Sequence, residues 1–255
     1  MEFIKEKETE IIKHYDVILG QVERKILSLT KQLNINSFSY EGKHRYKTTY
    51  YDTPENLLTK AGILMYKTWE KGSYYIKIDR LSIVSSHLLN KKEVFQHPIE
   101  ERDTPIMHSF YLINGISNLF STPFSIDIEH VIKTVEPKIY IDIESTVYKA
   151  FSGTGFKCNL AFEECHYVNL TTIRKRDNNE LVVRFEAPRK FLEEFNQFTF
   201  SLEKHCKELL PKNERRFNYA KRITKPIEKV DKKKLKAEKA KKEKKSKKAE
   251  NVIQG

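Results

Sequence analysis

The stretch Lys43-His-Arg-Tyr-Lys-Thr-Thr-Tyr-Tyr51, the turn Asp52-Thr-Pro54, the short run Leu57 to Ala61 closed by Gly62, and the pair Ile63–Trp69 and Tyr74–Asp79 decide the architecture. Residues 43–51 are aromatic and β-branched, which suits a strand, and Asp-Thr-Pro ends them as a turn. Ile63–Trp69 and Tyr74–Asp79 flank Lys71-Gly72-Ser73, which reads as a tight hairpin turn. Working outward, 90–97, 124–132, 138–148, 160–168 and 181–187 read as further strands, and residues 3–13 as a first one. Helical patterns bracket them. Ile18, Val22, Ile26, Leu29 and Leu33 recur at spacings of three and four, with Asp16 as the N-cap. From Pro188 onward, Phe191, Phe195, Phe198, Leu202, Cys206 and Leu209 form one apolar stripe that Pro211 ends. A third helical pattern runs through Met107, Phe110, Tyr111 and Ile113. Many strands of even length with a helix near each end predict a closed barrel or a sandwich, with helices packed outside.

The charge is unevenly spread. The 255 residues carry a formal net charge of +12. Residues 225–250 hold 13 Lys against 5 acids, so +8 of it sits in a tail with almost no apolar side chain. That tail reads as disordered or as a lone solvated helix, which divides the chain into a folded domain at 1–224 and a Lys-rich extension at 225–255. Its chemistry suits a nonspecific polyanion tether, to RNA or polyphosphate, and it offers no aromatic ring to stack on bases. Three scattered cysteines, Cys158, Cys165 and Cys206, argue against a disulfide scaffold and against a zinc site. No apolar run is long enough for a membrane helix and no signal peptide is visible. A cytoplasmic protein is the expectation, with a nuclear location as the alternative that the basic tail raises.

Strand alternation then shows where the remaining charges sit. Glu6, Glu8 and Glu10 share one face, as do Lys77 and Asp79. In 138–148, Ile139, Ile141, Ile143 and Val147 oppose Tyr140, Asp142, Glu144 and Tyr148. In 180–186, Leu181, Val183 and Phe185 oppose Glu180, Arg184 and Glu186. An ordinary sheet would turn the charged faces to water. A barrel covered by amphipathic helices would turn the apolar faces outward and the charges into its lumen, where a metal and a phosphate chain would partner them.

The order Tyr50-Tyr-Asp-Thr-Pro54, Leu57-Leu-Thr-Lys-Ala-Gly62-Ile63, Lys71-Gly72-Ser-Tyr-Tyr-Ile-Lys77 resembles the CYTH superfamily of triphosphate tunnel metalloenzymes. The likeness extends more loosely from Glu6 to Ile223. It implies an α+β fold, an eight-stranded antiparallel barrel whose acids bind Mg²⁺ or Mn²⁺ and whose bases grip a triphosphate. Carried onto this chain, it implies Glu8, Glu10, Glu144 and Glu186 as metal ligands. It implies Lys67, Lys77, Arg184 and Arg216 as phosphate ligands, and Glu8, Glu10 and Lys77 as the catalytic set. The family's first-strand lysine falls one residue late here, at Lys13, which puts it on the opposite face. The late acidic pair becomes Arg184-Phe-Glu186, and Lys92-Glu93-Val-Phe95 stands for the alternating basic-acidic strand. The activity implied is metal-dependent triphosphate hydrolysis. The alternative is a non-catalytic module that binds polyphosphate or an RNA 5′-triphosphate end, tethered by the tail.

Overall fold

Strand alternation and short turns generate the whole scaffold. The structure is a computed structural model and describes residues 9–17, 21–85, 88–108, 128–172, 174–175, 180–212 and 220–221. In chain order these form β1 (Glu10–Val17), α1 (Val22–Ser28), β2 (Ser37–Asp52), α2 (Leu57–Lys60), β3 (Ile63–Glu70), β4 (Ser73–Ser85) and β5 (Leu88–Ile99). A 3-10 turn at Pro105–His108 follows, then α3 (Ile128–Thr134), β6 (Glu136–Phe151), β7 (Lys157–Asn169), β8 (Arg174–Lys175), β9 (Glu180–Pro188), α4 (Leu192–His205) and β10 (Leu209–Pro211). The chain divides after Thr224, and the unit from Lys225 onward lies outside the described residues.

Eight strands pair antiparallel in the cyclic order β1–β5–β4–β3–β2–β6–β7–β9 and back to β1, so the barrel is closed. Closure removes the unpaired edges that an open sheet would present. The short β10 adds to β1 and the two-residue β8 to β7. Bulges at Gly42, between Ile78 and Asp79, and near Ile83 let long strands bend around the lumen.

Apolar side chains gather in three places. Ile11 and Tyr15 of β1, Leu160 and Phe162 of β7, and Val183 and Phe185 of β9 point outward under α1 and α4, where Phe195, Phe198 and Leu202 meet them. Ile63, Met65, Ile76 and Ile78 point outward under α2 and α3, against Leu58, Val131 and Ile132. The third cluster lies inside. Tyr50, Leu64 and Leu81 join Ile139, Ile141, Ile143, Cys165, Tyr167 and Val182, and Ala220 closes on them.

Several sequence expectations change here. Residues 128–134 are helical, not a strand, because Val131, Ile132 and Val135 sit at helical spacing and all three enter the outer core. Leu209 does not end the α4 stripe, since the chain turns at Cys206 and pairs with β1 as β10. Asp16 does not cap α1. It lies in β1 beside Lys212, while Gln21 with φ 67° precedes the helix. The first strand runs to Val17, beyond the expected residue 13. Of the pattern through Met107 to Ile113, only the turn ending at His108 falls within the described residues.

The turn at Asp52 does more than reverse the chain. Its fully buried carboxylate accepts the backbone N–H groups of Thr53, Leu58 and Thr59 and the Thr59 hydroxyl. The Leu58 and Thr59 amides are otherwise orphans of the first turn of α2, so one side chain ties helix to strand. Asp52→Ala is expected to lower stability by about 2 kcal/mol or more, the scale of charge-assisted bonds lost at a buried cap. Chemical denaturation of the variant checks it, and Asp52→Asn should recover part of the loss.

Candidate functional site

The lumen is built by whichever side chains the helices do not cover. On β1 these are the even-numbered residues Glu10, Ile12 and His14. On β3 and β4 they are Leu64, Tyr66, Thr68, Glu70, Lys77, Asp79 and Leu81. β5 adds Leu89, Lys91 and Glu93, β7 adds Glu163, and β9 adds Arg184 and Glu186. All of these but Glu10 and Glu186 line a cavity of about 200 Å³. Its wall has two parts. The Ile139–Ile143 side is apolar, with the Tyr50 and Tyr66 rings 5.4 Å apart beside it. The opposite side carries the charges.

Those charges form a continuous network. Arg184 donates from Nε to Glu163 at 3.0 Å and from Nη1 to Glu186. Glu163 is 1% exposed, so the acid end of this ion pair is buried. Lys77 donates to Glu70 at 2.5 Å. The Tyr66 hydroxyl donates to Asp79 Oδ2 at 2.8 Å, while Asp79 Oδ1 is buried without a hydrogen-bond partner. Lys91 Nζ stands 3.7 Å from Glu10, 3.9 Å from Asp79 and 4.0 Å from Glu186. Around the chamber the carboxylates of Glu10, Glu70, Asp79, Glu93, Glu163 and Glu186 outnumber the cations Lys77, Lys91 and Arg184.

The electrostatics follow from that excess. Burial pushes Glu10 up to about 8, and its hydrogen bond to Glu186 and that group's charge push the same way. Burial alone would raise Glu186 too, but Arg184 and Lys91 overcome it and hold the group well below the usual range. The two carboxyls thus push each other's titration apart, as close like charges do. Burial also raises Asp79, against the pull of Lys91 and Tyr66.

The chain matches no known family model, and no curated protein resembles it in sequence. It is similar to several solved structures at low sequence identity. A candidate adenylate cyclase from Bacillus halodurans is 13% identical, with 84% of this chain and 98% of that chain covered and a TM-score of 0.48. A Hippeastrum protein described as a candidate adenylyl cyclase with a dominant triphosphatase activity is 9% identical, covering 86% and 98% at a TM-score of 0.49. A Pyrococcus horikoshii protein is 10% identical, covering 81% and 94% at a TM-score of 0.43. At these values the closed barrel rests on its own strand pairing rather than on the likenesses.

The structure places the expected site residues unequally. Glu10, Lys77, Arg184 and Glu186 face the lumen together. Glu8 and Arg216 lie outside the described residues. Lys67 faces away, a correction to its expected role. It shares the outer side of β3 with Met65 and Trp69, donates to the carbonyls of Glu101 and Asp103, and covers the Tyr74 ring. Glu144 is also on the outside, two-thirds exposed, beside Asp142 and Arg45. Lys13 faces outward as its register implies, bonded to Glu203 of α4 at 2.6 Å.

Lys91 and Glu163 face the lumen and were not singled out in the sequence. Lys91 was passed over for Lys92, because the bulge at Ile78/Asp79 shifts the register of β5 by one. Glu163 sits in the pair Glu163-Glu164, where alternation gives two faces but not which is inner. Asp79 was visible on the Lys77 face, and only the structure shows its unpartnered oxygen.

A divalent metal fits this donor set in kind. Glu10, Asp79 and Glu186 offer carboxylate oxygens, the ligands of Mg²⁺ and Mn²⁺, and the free Asp79 Oδ1 is a lone pair awaiting a cation. Among the described residues no three acidic, His or Cys side chains already converge as a ready metal centre.

Proposed function

We propose that the lumen binds a short phosphate chain of the triphosphate class together with a divalent metal. The observation that carries this reading is the charged side of the lumen: Lys77, Lys91 and Arg184 on three strands, with the acids Glu10, Asp79 and Glu186 gathered around Lys91. Carboxylates in excess would repel a bare polyanion, so the ligand must bring its own cation. The metal supplies charge neutralisation at the phosphoryl oxygens and the Lewis acidity that hydrolysis needs. Lys77 and Arg184 would grip phosphate oxygens, Arg184 through the planar fork that Glu163 holds in place.

The cavity also limits the ligand. At about 200 Å³ it is smaller than the roughly 300–1,000 Å³ of ordinary small-molecule sites. A phosphate chain enters, and a nucleoside or an RNA end would have to remain at the mouth. The same reading therefore covers inorganic tripolyphosphate and an RNA 5′-triphosphate.

Calorimetric titration of the full chain with tripolyphosphate plus Mn²⁺ tests it, with phosphate release measured in parallel. Binding is expected, and Lys77→Ala should weaken it about tenfold, the scale of one charge-assisted bond at the site. Release of phosphate makes the protein a triphosphatase, while binding without release makes it a sensor or carrier module. Absence of heat with tripolyphosphate, ATP and triphosphorylated RNA, each with Mn²⁺ or Mg²⁺, rejects the proposal.

A further inference from the structure

We infer that Lys91 is a built-in counter-ion that occupies the place of the metal between Glu10, Asp79 and Glu186, and that it leaves these acids only when metal and phosphate arrive together. This rests on the triphosphate reading above and names how that site is controlled.

The geometry is unusual for a lysine. A charge-assisted N–H···O bond to one carboxylate is about 2.7–2.9 Å. Lys91 Nζ instead stands at 3.7, 3.9 and 4.0 Å from oxygens of Glu10, Asp79 and Glu186, which come from β1, β4 and β9. It sits among the three rather than on any of them. Its neighbours in the chamber are already committed, Lys77 to Glu70 and Arg184 to Glu163 and Glu186. Asp79 keeps one buried oxygen with no hydrogen-bond partner even with Lys91 in place. An ammonium neutralises such a cluster at a distance. A divalent ion would be held directly by the carboxylate oxygens of Glu10, Asp79 and Glu186.

Both cations cannot hold the same centre. A metal entering alone must displace Lys91 from the three acids that it neutralises. A phosphate chain entering alone meets the acids. When both enter, the metal takes the carboxylates and Lys91, on its flexible four-carbon stem, turns to the phosphate. Each ligand then raises the affinity of the other by the same factor.

The test uses the full chain. Mn²⁺ alone is titrated against wild type, Lys91→Met, Lys91→Gln and Lys91→Arg, with free Mn²⁺ read by electron paramagnetic resonance. Wild type and Lys91→Arg are expected to bind Mn²⁺ weakly. Lys91→Met and Lys91→Gln should bind it at least tenfold more tightly, and Mn²⁺ should raise their melting temperature and not that of wild type. A variant that folds only with Mn²⁺ supports the inference in the same way. If neither neutral variant gains Mn²⁺ affinity while wild type still binds Mn²⁺ with tripolyphosphate, the counter-ion role is overturned and the triphosphate reading stands. If the neutral variants gain Mn²⁺ and wild type takes no phosphate ligand, Lys91 keeps its role and the triphosphate reading falls.

Discussion

Replacing Phe185 by alanine is expected to lower the unfolding free energy by about 3–5 kcal/mol, the range for a fully buried aromatic. Phe185 is 0% exposed on the outer side of β9. Its ring meets Tyr15 edge-on at 5.7 Å and Phe198 of α4 at 5.2 Å, so it joins two strands to the helix that covers them. The cavity left by the ring would be lined by rigid strand backbone on one side and aromatic rings on the other, and neither relaxes to fill it. Urea denaturation should show a lower midpoint with an unchanged slope. Phosphate-ligand affinity per folded molecule should stay at the wild-type value, because Phe185 points away from Arg184 and Glu186. A loss below about 1 kcal/mol would mean that α4 does not seal this face.

Phe185 also shows what alternation could and could not reveal. On β9 the sequence separates Val183 and Phe185 from Arg184 and Glu186, and the structure turns the apolar set outward and the charged set inward. On β6 the sequence separates Ile139, Ile141 and Ile143 from Asp142 and Glu144 just as cleanly, yet the orientation is reversed. Alternation is a local property and names two faces. Which face is inner depends on what covers the strand. The outer side of β9 lies under α4. At Asp142 and Glu144 the outer side of β6 meets Arg45 of β2 and water. The lumen is therefore charged on one side and oily on the other, and Glu144 drops out of the metal set for that reason.

The register of β3 explains Lys67 in the same terms. Ile63 and Met65 are committed to the core under α2 and α3, so every odd residue of that strand faces outward. Tyr66, Thr68 and Glu70 take the inner positions instead. Where the resemblance implies Lys67 as a phosphate ligand, this barrel presents hydroxyls and a carboxylate. That substitution, with Asp79 beside Lys77, is what leaves the chamber short of cations. Bulges and helix coverage are tertiary facts, and neither is written in a single strand's pattern.

Arg184→Ala should have the largest combined effect, on stability and on binding. Removing the guanidinium leaves Glu163, 1% exposed, and Glu186, 9% exposed, without their shared partner. Breaking a buried ion pair from one side costs about 3–5 kcal/mol, because the remaining charge stays desolvated. The pH dependence gives this loss a signature. In wild type Glu186 is held below its ordinary 4.5, with burial opposing and Arg184 the largest of the charges that prevail. Its stabilisation is in place above the unfolded value and is lost as pH falls toward the folded one. In the variant that downward shift shrinks, since burial remains and Lys91 is left to oppose it without Arg184. The penalty is then full near neutral pH and is relieved as acid protonates the carboxyl. The gap between the two melting curves should accordingly narrow from pH 7 toward about 4.5, whereas a simple packing defect would keep it constant. Arg184→Lys should restore much of the stability and little of the phosphate binding, because an ammonium neutralises the acids but cannot reach Glu163 and a phosphate with one fork. A variant melting like wild type across that pH range would show that Arg184 lies in water rather than against Glu163 inside the closed barrel.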